Sequence, residues 1–141
     1  MVDMRRDPRT ISSIIIHCSD SDLPEDDNIE TIRSWHLAKN WSDVAYHFFI
    51  DKTGKVHEGR KIDQVGAHCI GHNVQSIGIC LSGKKDFWEP QFRALYFLIT
   101  GLMKTYKIPK NQIYPHNHFN IAKSCPNFAI EKIWKFESKK D

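Results

Sequence analysis

Three residues that lie far apart in the chain carry the side chains of a metal site: His17, His116 and Cys125. His17 directly follows an apolar run at residues 14–16, whereas the other two lie within segment 115–126, about a hundred residues later. Two imidazoles and one thiolate can form an open zinc site, in which three protein ligands leave the fourth position for water. If the fold unites them, we expect the chain to be a metal-dependent hydrolase.

A second histidine competes with His116 for the middle ligand position. His116 and His118 are two residues apart, so on an extended chain both side chains point to the same side. Spacing therefore cannot choose between them: one could bind metal while the other supports a ligand or contacts substrate. A polar surface loop with incidental histidines is the remaining alternative.

The four cysteines differ in their surroundings. Cys18, Cys69 and Cys80 have apolar neighbours, which predicts buried thiols without a chemical role. Cys125 lies among polar residues and precedes a proline, which predicts a loop position. The spacings contain no C-x-x-C pair of the kind found in structural zinc sites and redox motifs.

Length and composition predict one globular domain. The 141 residues fit a single domain over 1–141 with a core at about 11–136. A net charge of +3 without a basic stripe argues against nucleic acid as the partner, and we expect a monomer.

The chain lacks the roughly 18 consecutive apolar residues of a membrane span. Its first residues also lack the apolar region of a secretory signal, so we expect cytoplasmic accumulation on synthesis.

Hydrophobic periodicity alternates between strands and helices along the chain. Strands are predicted at 11–16, 45–50, 55–58 and 76–81, and helices at 27–40, 90–106 and 127–136. The turn at 51–54 joins the second and third strands as a hairpin, and the glycine-rich segment 66–73 is a surface loop. This order predicts an α/β layered domain with a mixed central sheet flanked by helices. Neighbouring strand residues face opposite ways, so only one of Tyr46 and His47 can face a site, and His47 is favoured as the core residue.

Seven short segments together resemble the type 2 N-acetylmuramoyl-L-alanine amidases, in their short phage-lysozyme-like branch, which is related in fold to peptidoglycan recognition proteins. The resemblance covers about residues 14–134. Each segment is weak alone, and their occurrence in this order is specific. The segments are Ile-Ile-Ile-His17-Cys-Ser, Arg33-Ser-Trp-His36, Trp41-Ser-Asp-Val-Ala-Tyr-His-Phe48, Glu58-Gly-Arg60, Val65-Gly-Ala-His68 with Gly71-His-Asn73, Ser76-Ile-Gly-Ile79, and Lys123-Ser-Cys-Pro126.

The resemblance implies a zinc enzyme that acts on peptidoglycan. It implies Zn²⁺ held by His17, His116 and Cys125, and Tyr46 and Lys123 as the catalytic pair. The substrate would be a muropeptide, cut at the amide between the lactyl group of N-acetylmuramic acid and L-alanine. Cleavage would lyse the cell wall after release or delivery of the enzyme, as an endolysin does.

The roles of the implied residues follow from their chemistry. A lysine at position 123 would stabilise the oxyanion that develops during attack on the carbonyl. The phenol of Tyr46, with an ordinary pKa near 10, suits positioning and hydrogen bonding before proton transfer. His68 and Asn73 are expected to contact substrate along the groove.

Two alternatives follow from the same resemblance. Relatives commonly carry an acidic residue two positions after the second ligand histidine, where this chain has His118. His118 therefore remains a rival ligand, although the order His-Asn-x-Phe favours His116. A non-catalytic peptidoglycan-binding or regulatory module of the same fold is the alternative function. Inactive relatives typically lose the cysteine ligand, so Cys125, Tyr46 and Lys123 favour catalysis.

Overall fold

A computed structural model describes residues 10–137, so the outermost residues of the expected 1–141 domain lie outside the described part. The strands are β1 (Ser13–Cys18), β2 (Phe48–Ile50), β3 (Val56–Glu58), β4 (Ser76–Leu81) and β5 (Ile113–Pro115), and the α-helices are α1 (Ile29–Ala38) and α2 (Glu89–Tyr106). Short 3₁₀ helices cover Pro24–Asp26, Lys110–Gln112, His116–His118 and Ile130–Phe136. No helix within residues 10–137 is long and apolar enough to cross a membrane.

The five strands form one mixed sheet in the order β3-β2-β4-β1-β5. β1 lies between β4 and β5 and runs parallel to both, and β2 is parallel to β4. The β2–β3 hairpin contributes the antiparallel pair. The predicted mixed sheet flanked by helices is therefore confirmed.

The apolar residues of the sheet pack against a helix on each face. On one face, α2 contributes Phe92, Leu95 and Ile99 to a cluster that includes Ile14 and Ile16 of β1. A smaller cluster on the other face joins α1 to the sheet through Ile29, Ile32, Val44, Phe49 and Cys80. Since side chains alternate along a strand, His17 faces the side of α1 and not the α2 core.

Several elements differ in extent from the sequence predictions. β4 and α2 match closely, whereas β1 extends to Cys18 and so includes His17 in the strand. The helix predicted from residue 27 begins at Ile29, because Asn28 is its N-cap and accepts a hydrogen bond from the Glu30 N–H at 2.7 Å. β2 contains only the last half of the predicted strand at 45–50, and the predicted closing helix is the 3₁₀ helix Ile130–Phe136. β5 was not predicted.

Candidate metal centre

The carboxyl ends of β1 and β5 bring the two histidines together. β1 and β5 are parallel neighbours, with Ile16 paired to Pro115, so both strands end at the same edge of the sheet. His17 is the fifth residue of β1, and His116 directly follows β5. Their ring centroids lie 4.4 Å apart. The edge of a parallel sheet thus places in contact two imidazoles that are distant in sequence.

Cys125 reaches the same edge through two backbone hydrogen bonds. Its carbonyl oxygen accepts from the N–H of Asn117 at 2.9 Å, which fastens the cysteine loop beside His116. The N–H of Cys18 donates to Sγ of Cys125, also at 2.9 Å. The thiol therefore lies at the end of β1, directly next to His17.

His17, His116 and Cys125 form the only group of potential metal ligands found within residues 10–137. Their donor atoms all lie within 4.8 Å of one another. Zinc binds imidazole nitrogen and thiolate sulfur at about 2.0–2.3 Å in tetrahedral geometry, and one thiolate with two imidazoles suits it. The donor set and its spacing fit a zinc ion with an open fourth position.

His118 lies outside this group. Its side chain is exposed, and its ring stacks on Tyr114 with centroids 4.8 Å apart. It also makes an edge contact with Phe119. Of the two alternatives that the spacing left open, the structure brings His116 to His17 and directs His118 to a surface stack.

The ionisation states of the three candidate ligands follow from their burial. Burial, with His68 and His116 nearby, lowers the pKa of His17 well below its usual value. Burial and the Lys123 ammonium lower the pKa of His116. The hydrogen bond with the Cys18 thiol and burial raise the pKa of Cys125. The imidazoles are therefore neutral and able to donate lone pairs, and metal binding would displace the thiol proton.

Tyr46 faces this group, and His47 lies in the core. The ring of Tyr46 lies 5.0 Å from that of His17, centroid to centroid. Burial of the phenol, followed by the nearby Cys80 and Cys125 thiols, raises the pKa of Tyr46 well above its usual value. His47 is fully buried, and its Nδ1 accepts from the N–H of Gly78 at 3.0 Å. The favoured assignment of His47 to the core is confirmed.

The side chains of His68 and Asn73, which were predicted to bind substrate, both form hydrogen bonds within the protein. His68 is buried, and its Nδ1 lies 2.9 Å from Nε2 of His17. Asn73 accepts from the N–H groups of His68 and Cys69 at 2.9 and 2.8 Å, so its side chain holds the loop together. His68 borders the larger cavity described below, and Asn73 does not line it. Contact of either residue with substrate stays a prediction.

Two adjoining cavities of about 290 and 540 Å³ form a groove over the group. Five residues line both cavities and so join them: His36, Lys39, Tyr46, His116 and Lys123. Lys123 is exposed on the groove wall, two residues before Cys125. The predicted catalytic pair, Tyr46 and Lys123, therefore borders the candidate ligands.

The last turn of α1 and its C-cap residue Lys39 contribute groove residues that sequence reasoning did not assign to the site. Trp35 and Lys39 line the smaller cavity, and the only sequence signal was the motif that carries Trp35 and His36. Nδ1 of His36 accepts from the N–H of Ala45 at 2.9 Å. Burial, followed by Lys39 and Arg60, lowers the pKa of His36 to about 4. His36 is therefore a neutral structural contact between α1 and the segment that precedes β2.

Known proteins resemble this chain over most of its length. The sequence model of the family N-acetylmuramoyl-L-alanine amidase (Amidase_2) matches residues 7–128. An endolysin of Klebsiella phage KP32 is 35% identical over 132 residues, covering 88% of this chain and 85% of the relative. The amidase LysC from Clostridium intestinale superposes with a TM-score of 0.80 at 27% identity, covering 89% and 84% of the two chains. The peptidoglycan recognition protein PGRP-SA of Apis mellifera gives 0.75 at 28%, covering 91% and 83%.

Proposed function

The chain belongs to the N-acetylmuramoyl-L-alanine amidase family, and from that premise we propose that it cuts peptidoglycan with zinc held by His17, His116 and Cys125. The protein is a cell-wall-lytic amidase. The bond cleaved is the amide between the lactyl group of N-acetylmuramic acid and L-alanine of the stem peptide. One observation carries the metal assignment: the three donor atoms lie within 4.8 Å of one another beneath the groove.

Bound zinc would supply Lewis-acid activation of water and of the scissile carbonyl. Attack on that carbonyl develops negative charge on its oxygen, and the Lys123 ammonium on the groove wall would stabilise this charge. The raised pKa of Tyr46 keeps its phenol protonated, so Tyr46 would donate a hydrogen bond to water or substrate and not act as a base.

The similarity to endolysins also supports a proposal about where the enzyme acts. A relative named an endolysin matches 88% of this chain, and the groove passes over the three candidate ligands. We propose that the enzyme acts as a monomer on the cell wall after its release from the cell that makes it.

Purified sacculi provide the test. Digestion should release stem peptides with a new L-alanine amino group, identified by mass spectrometry, and should leave the glycan strands intact. Removal of zinc with a chelator should abolish release, and added Zn²⁺ should restore it. Peptide release at the full rate after complete zinc removal would overturn the metal mechanism. Binding to sacculi without any release would instead favour the non-catalytic module.

A further inference from the structure

A continuous chain of hydrogen bonds leads away from His17 into the loop that precedes β4. Nε2 of His17 lies 2.9 Å from Nδ1 of His68. Nε2 of His68 lies 3.2 Å from the hydroxyl oxygen of Ser76, the first residue of β4. That hydroxyl donates to the backbone carbonyl of His72 at 2.6 Å. Three side chains and one carbonyl thus form a single path.

The carbonyl at the end of this path fixes the direction of every proton in it. A carbonyl oxygen only accepts, so the single hydroxyl proton of Ser76 points to His72. Ser76 must then accept from Nε2–H of His68, which leaves Nδ1 of His68 unprotonated. An imidazole with one N–H has one donor and one acceptor, so His17 donates its own Nε2–H to that atom, 2.9 Å away. Nδ1 of His17 is left with a free lone pair.

The backbone holds the ring of His68 in the orientation that this path requires. A Cβ atom at Gly66 would lie 2.7 Å from Cδ2 of His68, and one at Gly78 would lie 2.6 Å from it. Only glycine leaves room for the imidazole at these two positions. The ring packs edge-on against that of His17, with centroids 4.9 Å apart. The loop segment and β4 therefore build a fitted cradle for His68.

We propose that His68 and Ser76 are positioning residues that hold His17 in the Nε2–H tautomer, with Nδ1 presented to the metal. The inference rests on the proposed zinc site and assigns a ligand atom within it. A metal-binding histidine commonly donates its other ring N–H to a neighbouring acceptor, and loss of that acceptor typically lowers metal affinity by 10–100-fold. Here the acceptor is Nδ1 of His68. The ring of His68 is oriented in turn by the Ser76 hydroxyl, which donates its proton to the carbonyl of His72.

Zinc affinity and the tautomer of His17 can be measured separately on the full chain. Affinity comes from competition with a chromophoric chelator, and the tautomer comes from long-range ¹H–¹⁵N spectra of the metal-free protein. We expect His68→Leu to weaken zinc binding by about 10–100-fold, because it removes the acceptor. His68→Gln keeps an acceptor for His17 and a donor for Ser76, so it should bind zinc within about threefold of the unmodified chain.

Ser76→Ala has a matched control just beyond the other end of β4. Ser82 directly follows β4 and is fully buried, and its hydroxyl has no hydrogen-bond partner within residues 10–137. Ser76→Ala should populate both tautomers of His17 and weaken zinc binding by about tenfold, whereas Ser82→Ala should change neither.

An Nδ1–H tautomer of His17 in the unmodified chain would overturn the proposal. So would unchanged zinc affinity in both His68→Leu and Ser76→Ala. Absence of zinc binding in the unmodified chain would instead overturn the proposed metal site, and the metal-free spectra would still decide the order of protons.

Discussion

The backbone N–H of Cys18 donates to Sγ of Cys125 at 2.9 Å, although the two cysteines are 107 positions apart in the sequence. The end of β1 therefore supplies both the imidazole of His17 and a donor to the thiol beside it. Such a bond is stronger when the acceptor is an anion, so it would support Cys125 as a thiolate in the proposed zinc site. One buried strand end thus organises two of the three candidate ligands.

His116 and His118 provide a matched pair of substitutions for the middle ligand. His116→Ala removes a donor from the three-residue group, and it should weaken zinc binding by at least about 100-fold and abolish peptide release. His118→Ala removes only a ring stacked on Tyr114, so zinc affinity should stay within about threefold. Chelator competition on both purified variants measures the difference. The reverse order of affinities would make His118 the ligand.

Tyr46→Phe should separate catalysis from metal binding. The phenol has a raised pKa and is a hydrogen-bond donor at neutral pH, so its loss should lower kcat by about 10²-fold or more. Zinc affinity should not change, because Tyr46 supplies no ligand atom. Initial rates of peptide release, measured beside zinc competition, test both statements. A parallel loss of rate and of affinity would mean that Tyr46 acts by supporting the ligands.

Lys123→Ala should lower kcat without loss of zinc. Removal of a single group that stabilises an oxyanion typically costs about 10²–10³ in rate. Lys123→Arg keeps the charge and should recover part of the activity. Lys104→Ala is the control, since Lys104 is an exposed lysine near the end of α2 that lines neither groove cavity. Equal rates for Lys123→Ala and the control would remove Lys123 from the mechanism.

Local pattern predicts the parts of the fold that bury continuous apolar runs. β4 is predictable because residues 77–81 form a run without polar side chains, which is typical of a strand covered on both faces. β5 has only three residues, two of them Tyr114 and Pro115, and its strand conformation depends on pairing with β1. A segment that becomes a strand through a distant neighbour carries no periodicity of its own.

The sequence likewise predicts some features of the candidate site and not others. Residue types and the family resemblance predict His17, His116 and Cys125 as ligands, and the choice between His116 and His118 needed the turn after β5. The contact between His17 and His68 joins residues 51 positions apart through an irregular loop, so no local pattern encodes it. The sequence feature related to this contact is the pair Gly66 and Gly78, which leave room for the imidazole of His68.

Asp22 links its own loop to two others, the turn that carries Lys52 and the loop that carries Lys84 and Lys85. Its carboxylate accepts from the N–H groups of Lys84 and Lys85 at 2.8 and 2.9 Å and from Nζ of Lys52 at 3.0 Å. Partial burial opposes ionisation, yet these hydrogen bonds hold the pKa of Asp22 well below its usual range. A carboxylate with a lowered folded-state pKa stabilises the fold fully above its unfolded pKa of about 4, and this contribution is lost as the pH falls through the folded value.

Asp22→Asn should therefore lower the free energy of unfolding at pH 7 by about 1 kcal/mol, a figure reduced for solvent screening because a third of the side chain is exposed. The deficit should shrink as the pH falls below about 4, since the unmodified chain then loses the same stabilisation. Urea unfolding at several pH values measures it. Asp63→Asn is the control, because it removes an equal charge from an exposed residue outside this cluster. A deficit for Asp22→Asn that stays constant from pH 7 to pH 3 would show that the carboxylate charge is not what holds the three loops together.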